Sequence, residues 1–376
     1  MTKYLRGLAV VGVLALVVTA CGSRPTESNE AGGSGGGKEP AAGAQDFRAC
    51  MVSDSGGFDD KSFNQTSHKG LLDAVKEHGI MESTAESDSD GDYPQNISGM
   101  VNANCNAIVT VGFKLGNQTA IAAAENPDVK FGIVDFDINA VDLKEVKLES
   151  VPGNVKSLLF DTAQSSFLAG YLAAGMSQTG KVGTFGGLPI PTVTIFMDGF
   201  AEGIAYYNEQ KNKDVKLLGW NEETQKGLFT NDFENKGMGK NTANNLISQG
   251  ADIVFPVAGP AGLGGLEAAK ASGGKVNAIW VDTDGCKSAA EYCGVLLTSV
   301  YKGMDVAVKD VITTTYEDQF DNTPYVGTLE NKGTGLSPYH EWDSKIPAEL
   351  KSEIDEIEQQ IIDGTIPIKS KAVPQP

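Results

Sequence analysis

The sequence predicts an α/β protein made of two successive open, doubly wound parallel sheets. Three observations carry this reading. Short apolar runs alternate with amphipathic stretches of helical spacing from residue 47 onward. The same alternation restarts, after a break, at Gln164. At 376 residues the chain is too long for one ordinary core and suits two domains.

In the first half, residues 49–52 read as a strand, followed by a polar loop and a helix through Leu71, Leu72, Ala74 and Val75. Residues 107–111 form a second strand and 120–124 a helix, and 131–135 form a third strand. In the second half, residues 164–176 are an Ala- and Leu-rich helix, and 181–185 a strand ending at Gly186 and Gly187. Residues 198–208 place Phe200, Ile204 and Tyr207 on one helical face. A strand over 215–220, a helix over 240–248 and a strand over 252–256 follow, then a helix over 264–271 and a strand over 278–282. Ile346, Leu350, Ile354, Ile357 and Ile361 mark the buried stripe of an acidic helix.

The N-terminus reads as an export signal over residues 1–20. Lys3 and Arg6 precede an apolar run over 8–19, which is shorter than the roughly 20 residues a membrane span needs. Val18, Thr19, Ala20 and Cys21 resemble a bacterial lipobox, whose cysteine is acylated and becomes the mature N-terminus. Residues 21–45, rich in Gly and Ser, then read as a flexible tether. Export favours disulfides among the remaining four cysteines. Of three possible pairings, the closeness of Cys286 and Cys293 favours a local bridge, which leaves Cys50 for Cys105. Zinc ligation is disfavoured because the spacing is wrong and no histidine stands nearby. A net charge of −19 without clustered Lys and Arg argues against nucleic acid as a partner.

Open α/β sheets bind ligands outside the carboxyl ends of their strands. The residues there are Asp54, Gly112 with Phe113, Asp135, Gly186 with Gly187, Ala258 with Gly259, and Asp282. Three carboxylates ending three separate strands point to one shared site more than to three helix caps. Other motifs fall away. The acidic run 86–93 lacks the closing glutamate of a calcium loop, because Ile97 occupies that place. Residues 262–265 are a poor dinucleotide fingerprint. His68, His78 and His340 are scattered, with no nucleophile–His–acid arrangement. Neither a cofactor, a metal nor a catalytic residue is expected.

The segment 51–65 (MVSDSGGFDDKSFNQ) is the most distinctive. Together with stretches at 111–113, 131–135, 167–174, 181–187, 199–204, 250–259, 281–284 and 298–302, it resembles the basic membrane protein family of substrate-binding lipoproteins. The best-understood members bind purine nucleosides. The resemblance implies a type I periplasmic-binding-protein fold, with two lobes joined by three hinge crossings. The lobes would comprise residues 46–160 with 285–325, and 161–284 with 326–370. It also implies a base held between two phenylalanines. Phe63 matches the first by its intact motif. Phe233 matches the second by its distance before Gly239 and Lys240, with Phe229 as the rival. Asp54 and Asn64 match residues that hydrogen-bond the base, and Asp135, Gly259, Asp282 and Lys302 match the group that holds the ribose. Phe58 and the turn after Gly259 depart from the family pattern.

The chemistry is coherent. A flat ring stacks on Phe for about 0.5–1.5 kcal/mol beyond its buried area, and a diol offers donors to acceptor-only carboxylates. The expected partners are a small ligand, an ABC transporter permease and the membrane holding the lipid anchor, with a monomer as the default. The alternatives are a sugar or other small polar ligand on the same fold, a surface antigen or co-receptor without a transport role, and a nucleoside-hydrolysing enzyme.

Overall fold

The computed structural model describes residues 46–374. The readings of residues 1–45, including acylation of Cys21, lie outside the described residues. The first sheet begins with β1 (Arg48–Ser53), β2 (Met81–Ala85), β3 (Ala107–Val111), β4 (Lys130–Val134) and β5 (Val155–Phe160). Helices α1 (Phe63–His78), α2 (Tyr93–Asn102), α3 (Gly116–Glu125) and α4 (Leu143–Val146) lie between them in sequence. The chain then runs through α5 (Thr162–Met176), β6 (Lys181–Gly186), α6 (Pro191–Lys211), β7 (Lys216–Leu218), the short β8 (Trp220–Asn221) and β9 (Lys226–Gly227), and α7 (Lys236–Ser248). Next come β10 (Ile253–Val257), α8 (Gly259–Ala271), β11 (Asn277–Asp282), α9 (Gly285–Ser288), β12 (Leu296–Lys302), α10 (Met304–Tyr316), β13 (Tyr325–Gly327), β14 (Thr334–Leu336) and α11 (Ala348–Ile362).

Two six-stranded sheets result, ordered β2-β1-β3-β4-β5-β13 and β7-β6-β10-β11-β12-β14. All pairings in them are parallel except β12 with β14. Strands β1, β3, β10 and β11 are almost wholly buried, as parallel strands covered on both faces must be. In β1 the alternation is clean. Ala49 and Met51 pack with α1 and α10, while Cys50 and Val52 pack with α2 and α3. In the second half α5 and α6 pack closely because glycines stand at the contact. A Cβ on Gly199 or Gly203 would lie about 2 Å from the carbonyl oxygens of Ala163 or Phe167. The family-like stretches 167–174 and 199–204 thus have a packing cause.

The chain passes between the sheets three times: at Asp161, at Gly303, and between β13 and β14. The expected boundary at 285 is corrected to Gly303. β12 is hydrogen-bonded parallel to β11 in the second sheet, and only α10 returns to pack on α1 and β4. Likewise β13 pairs with β5, so the last crossing follows Gly327.

Several elements differ from the periodicity reading. Helix α6 starts at Pro191, seven residues before the expected start, because proline suits the first helical turn. The strand expected over 215–220 breaks at Gly219 (φ +86°), where a Cβ would sit 2.1 Å from the Thr184 carbonyl oxygen. Helix α11 carries the buried stripe Leu350, Ile354, Ile357 and Ile361, with Ile346 buried just ahead of it. Both expected disulfides are present, Cys50–Cys105 and Cys286–Cys293.

Candidate functional site

In both sheets the strand order reverses direction next to the first strand, between β1 and β3 and between β6 and β10. Such switch points open crevices at the carboxyl ends of strands. Here the loops of both sheets converge on one cavity. Every binding residue expected from the sequence lines it: Asp54, Phe63, Asn64, Asp135, Phe233, Gly259, Asp282 and Lys302.

Asp54 follows β1, and its amide donates to the Val111 carbonyl. The carboxylate lies against Gly112 (φ +121°), where any Cβ would be 2.2 Å from Asp54 Oδ2. Asn64 Nδ2 donates to Asp54 Oδ1 at 2.9 Å, while Asn64 Oδ1 is buried without a hydrogen-bond partner in the structure. Desolvation pushes the Asp54 carboxyl up to about 8, against the pull of Asn64. Asp60 caps α1 by accepting from the amides of Ser62, Asn64 and Gln65. Burial still raises it to about 6. Asp60 also lines the cavity.

Asp135 follows β4 and Asp282 ends β11, one in each sheet, and both adopt left-handed backbone (φ +63° and +67°). That region is sparsely populated by non-glycine residues, and such strain clusters at functional sites. Both carboxylates face Lys302, the last residue of β12. Lys302 Nζ donates to Asp135 Oδ2 and lies 3.9 Å from Asp282 Oδ1. Ser62 Oγ donates to Asp282 Oδ2 at 2.7 Å. Burial pushes both carboxyls above their ordinary range, opposed by the Lys302 charge. The ammonium also lies 5.2 Å from the Phe63 ring centroid and 5.1 Å from that of Phe196.

Phe63 opens α1, and Phe233 lies in the loop before α7, so the two rings come from opposite sheets. Room for Phe233 depends on Gly187, where a Cβ would be 2.2 Å from its ring. Between the rivals the geometry is clear. Phe233 lines the cavity, whereas Phe229 packs edge-on against Trp220 and over Gly186. The sequence reading missed Ile190, Thr192, Val193 and Phe196, which also line the cavity. It began α6 too late, and Pro191 was the available signal. Elsewhere, His340 Nε2 bonds both Asp284 oxygens and stands near Cys286, whose sulfur is already in a disulfide.

Paired sheets of this order, crossed three times and closed around a cavity at their carboxyl ends, define a solute-binding protein of the type I periplasmic fold. A solved ABC transporter solute-binding protein from Aeropyrum pernix superposes with a TM-score of 0.74 at 24% identity, covering 88% of this chain and 94% of its own. Residues 47–372 match the family described as ABC transporter substrate-binding protein PnrA-like, and the chain belongs to that family. The chain is similar to the ABC transporter nucleoside-binding protein BmpA of Lactococcus lactis, 29% identical over 87% of this chain and 90% of that protein. It is also similar to basic membrane protein A of Borreliella burgdorferi, 31% identical over 84% and 86%. A third relative, the CD4+ T-cell-stimulating antigen of Listeria innocua, is 30% identical over 99% and 100%. As an ABC transporter substrate-binding protein, the chain takes a small-molecule ligand and has a transporter as partner.

Proposed function

We propose that this protein is an exported, lipid-anchored receptor that encloses a nucleoside, of the purine class, and hands it to an ABC importer without chemical change. One observation carries the reading. Phe63 and Phe233, from opposite sheets, line the same cavity as Asp135 and Asp282, which are joined through Lys302. Aromatic faces suit a planar base. Carboxylates that accept and never donate suit the vicinal hydroxyls of ribose. Asn64 Oδ1, buried without a partner, is an acceptor available to a base N–H.

The charge balance narrows the ligand further. Asp54, Asp60, Asp135 and Asp282 surround the cavity, against Lys302 and Lys114. Lys302 is already engaged by two carboxylates, and Lys114 pairs with Asp90. A phosphate would therefore meet acids and, among the described residues lining the cavity, no cation without an acidic partner, so a nucleotide is disfavoured relative to a nucleoside. Acylation of Cys21, followed by the tether over residues 22–45, would hold the receptor at the outer face of the cell membrane.

Mass spectrometry of the small molecule released on denaturing the purified protein, together with thermal shifts over a nucleoside panel, tests this reading. A purine nucleoside in the released fraction and a shift with that compound are expected. At about 100 times its Kd a ligand adds about 2.7 kcal/mol of stability. A released sugar, with no shift for any nucleoside, would contradict it.

A further inference from the structure

We infer that Lys61 and the disulfide-closed loop Cys286–Cys293 form a clasp across the mouth of the cleft, one that sets how long the closed state lasts. Lys61 belongs to the β1–α1 loop of the first half, yet its bonds go to the second. Its carbonyl accepts from Trp280 Nε1 at 3.3 Å. Its ammonium pairs with Glu291 Oε1 at 2.8 Å. The next residue, Ser62, donates to Asp282. Two adjacent residues thus make three bonds to the opposite half. Lys61 holds a left-handed backbone (φ +62°) at this point, the kind of local cost that persists only where surrounding contacts hold it.

The catch is built before Lys61 arrives. Glu291 lies inside the loop closed by Cys286–Cys293. Its carbonyl accepts from Lys270 Nζ on α8 at 2.7 Å, and the same ammonium stands 5.4 Å from the Tyr292 ring. The disulfide and Lys270 therefore hold the Glu291 carboxylate at the rim. Neither Lys61 nor Glu291 is among the residues lining the cavity. They act through closure, as positioning residues, and should change residence time without changing which ligand is accepted. The Lys61 and Glu291 side chains are 38% and 48% exposed, so salt screens their pairing. The Ser62–Asp282 bond is buried and is not screened in the same way.

The test compares Lys61→Glu, Glu291→Lys and the double reversal in the full folded domain. Spin labels on Glu125→Cys and Asn244→Cys, both exposed and on helices of opposite halves, report the distance between the halves. Distances are measured without ligand and with inosine, and inosine release is followed by stopped flow. Each single reversal should shift the distances outward and speed release by about threefold to fivefold, with association unchanged. The double reversal should recover most of the loss. High salt should speed release from the wild type and slow it from the single variants, whose facing like charges are then screened. Replacing Cys286 and Cys293 with serine should resemble the single reversals. The clasp is overturned if single reversals leave distances and release unchanged, or if the double variant is no nearer to wild type than either single. Should inosine fail to bind the wild type, the nucleoside reading falls, and the ligand-free distances alone still decide the clasp.

Discussion

The two walls of the cleft differ in kind. The wall from the first sheet is polar: Asp54, Asp60, Asn64 and Asp135 surround Phe63 and Phe113. The wall from the second sheet is mostly apolar, with Ile190, Val193, Phe196, Phe233, Val257 and Pro260. Its only charged members are Asp282 and Lys302, and Lys302 reaches across to Asp135. The difference teaches a division of labour. Hydrogen-bonding groups fixed by strand ends and a helix start discriminate between ligands. The apolar wall supplies burial, which is proportional to area and indifferent to the pattern of donors and acceptors.

Substitution can break this comparison at several points. The largest effect is expected at the residue that joins the walls. Lys302→Met leaves Asp135 and Asp282 buried without their cation, and such removals cost about 3–5 kcal/mol. Denaturant unfolding should show a lower midpoint with an unchanged slope, and ligand binding should be lost. Next, Asp282→Asn removes a charged acceptor, and hydrogen bonds to charged groups contribute about 1.5–3 kcal/mol. Calorimetry should find inosine bound at least about tenfold more weakly. The contrast between walls is tested most sharply by a pair of variants. Phe233→Ala should weaken inosine and adenosine by similar factors, about tenfold, through lost stacking and area. Asn64→Ala should change the ratio between those two nucleosides, which differ in their base donors and acceptors. Equal ratios in both variants would remove the distinction between the walls.

Stability should also depend on pH. Asp54 titrates at about 8, and Asp60 and Asp161 at about 6, all above the ordinary carboxyl value of 3.8. Between these values the folded state holds protons that the unfolded state has lost, so stability falls as pH rises from about 4 through 8. The unfolding midpoint should be higher at pH 6 than at pH 8.5. Asp54→Asn should flatten the upper part of that slope, and an unchanged slope would place the titration elsewhere.

Much of this architecture was readable from residue order. Strands β1, β3, β4, β6, β10 and β11 are continuous apolar runs, because both faces of a parallel sheet are covered. The carboxylates following β4 and β11 stood out for that reason. Other parts were not readable by periodicity. Strand β2 is an edge strand, only partly buried, with the polar sequence MESTA. Helix α2 carries Pro94, Gly99 and the polar Gln95, Asn96, Ser98 and Asn102, and α10 is rich in Val, Ile and Thr, which favour strands. Their helicity comes from tertiary packing on the first sheet. Lys302 carried no signal of its own. Its importance follows from where β12 ends, facing the acid after β4 and the acid that ends β11, and only the family resemblance singled it out beforehand.

The account rests on ribose hydroxyls being held by Asp135 and Asp282 while the base lies against Phe63 and Phe233. Isothermal titration of the folded protein with inosine and with 2′,3′-dideoxyinosine tests this most directly, because the two share a base and differ only in the diol. Inosine should bind, and the dideoxy analogue should bind at least about tenfold more weakly, since the two acids would then be desolvated without the donors the diol supplies. Equal affinity for the two compounds would contradict the assignment of the carboxylates to the sugar.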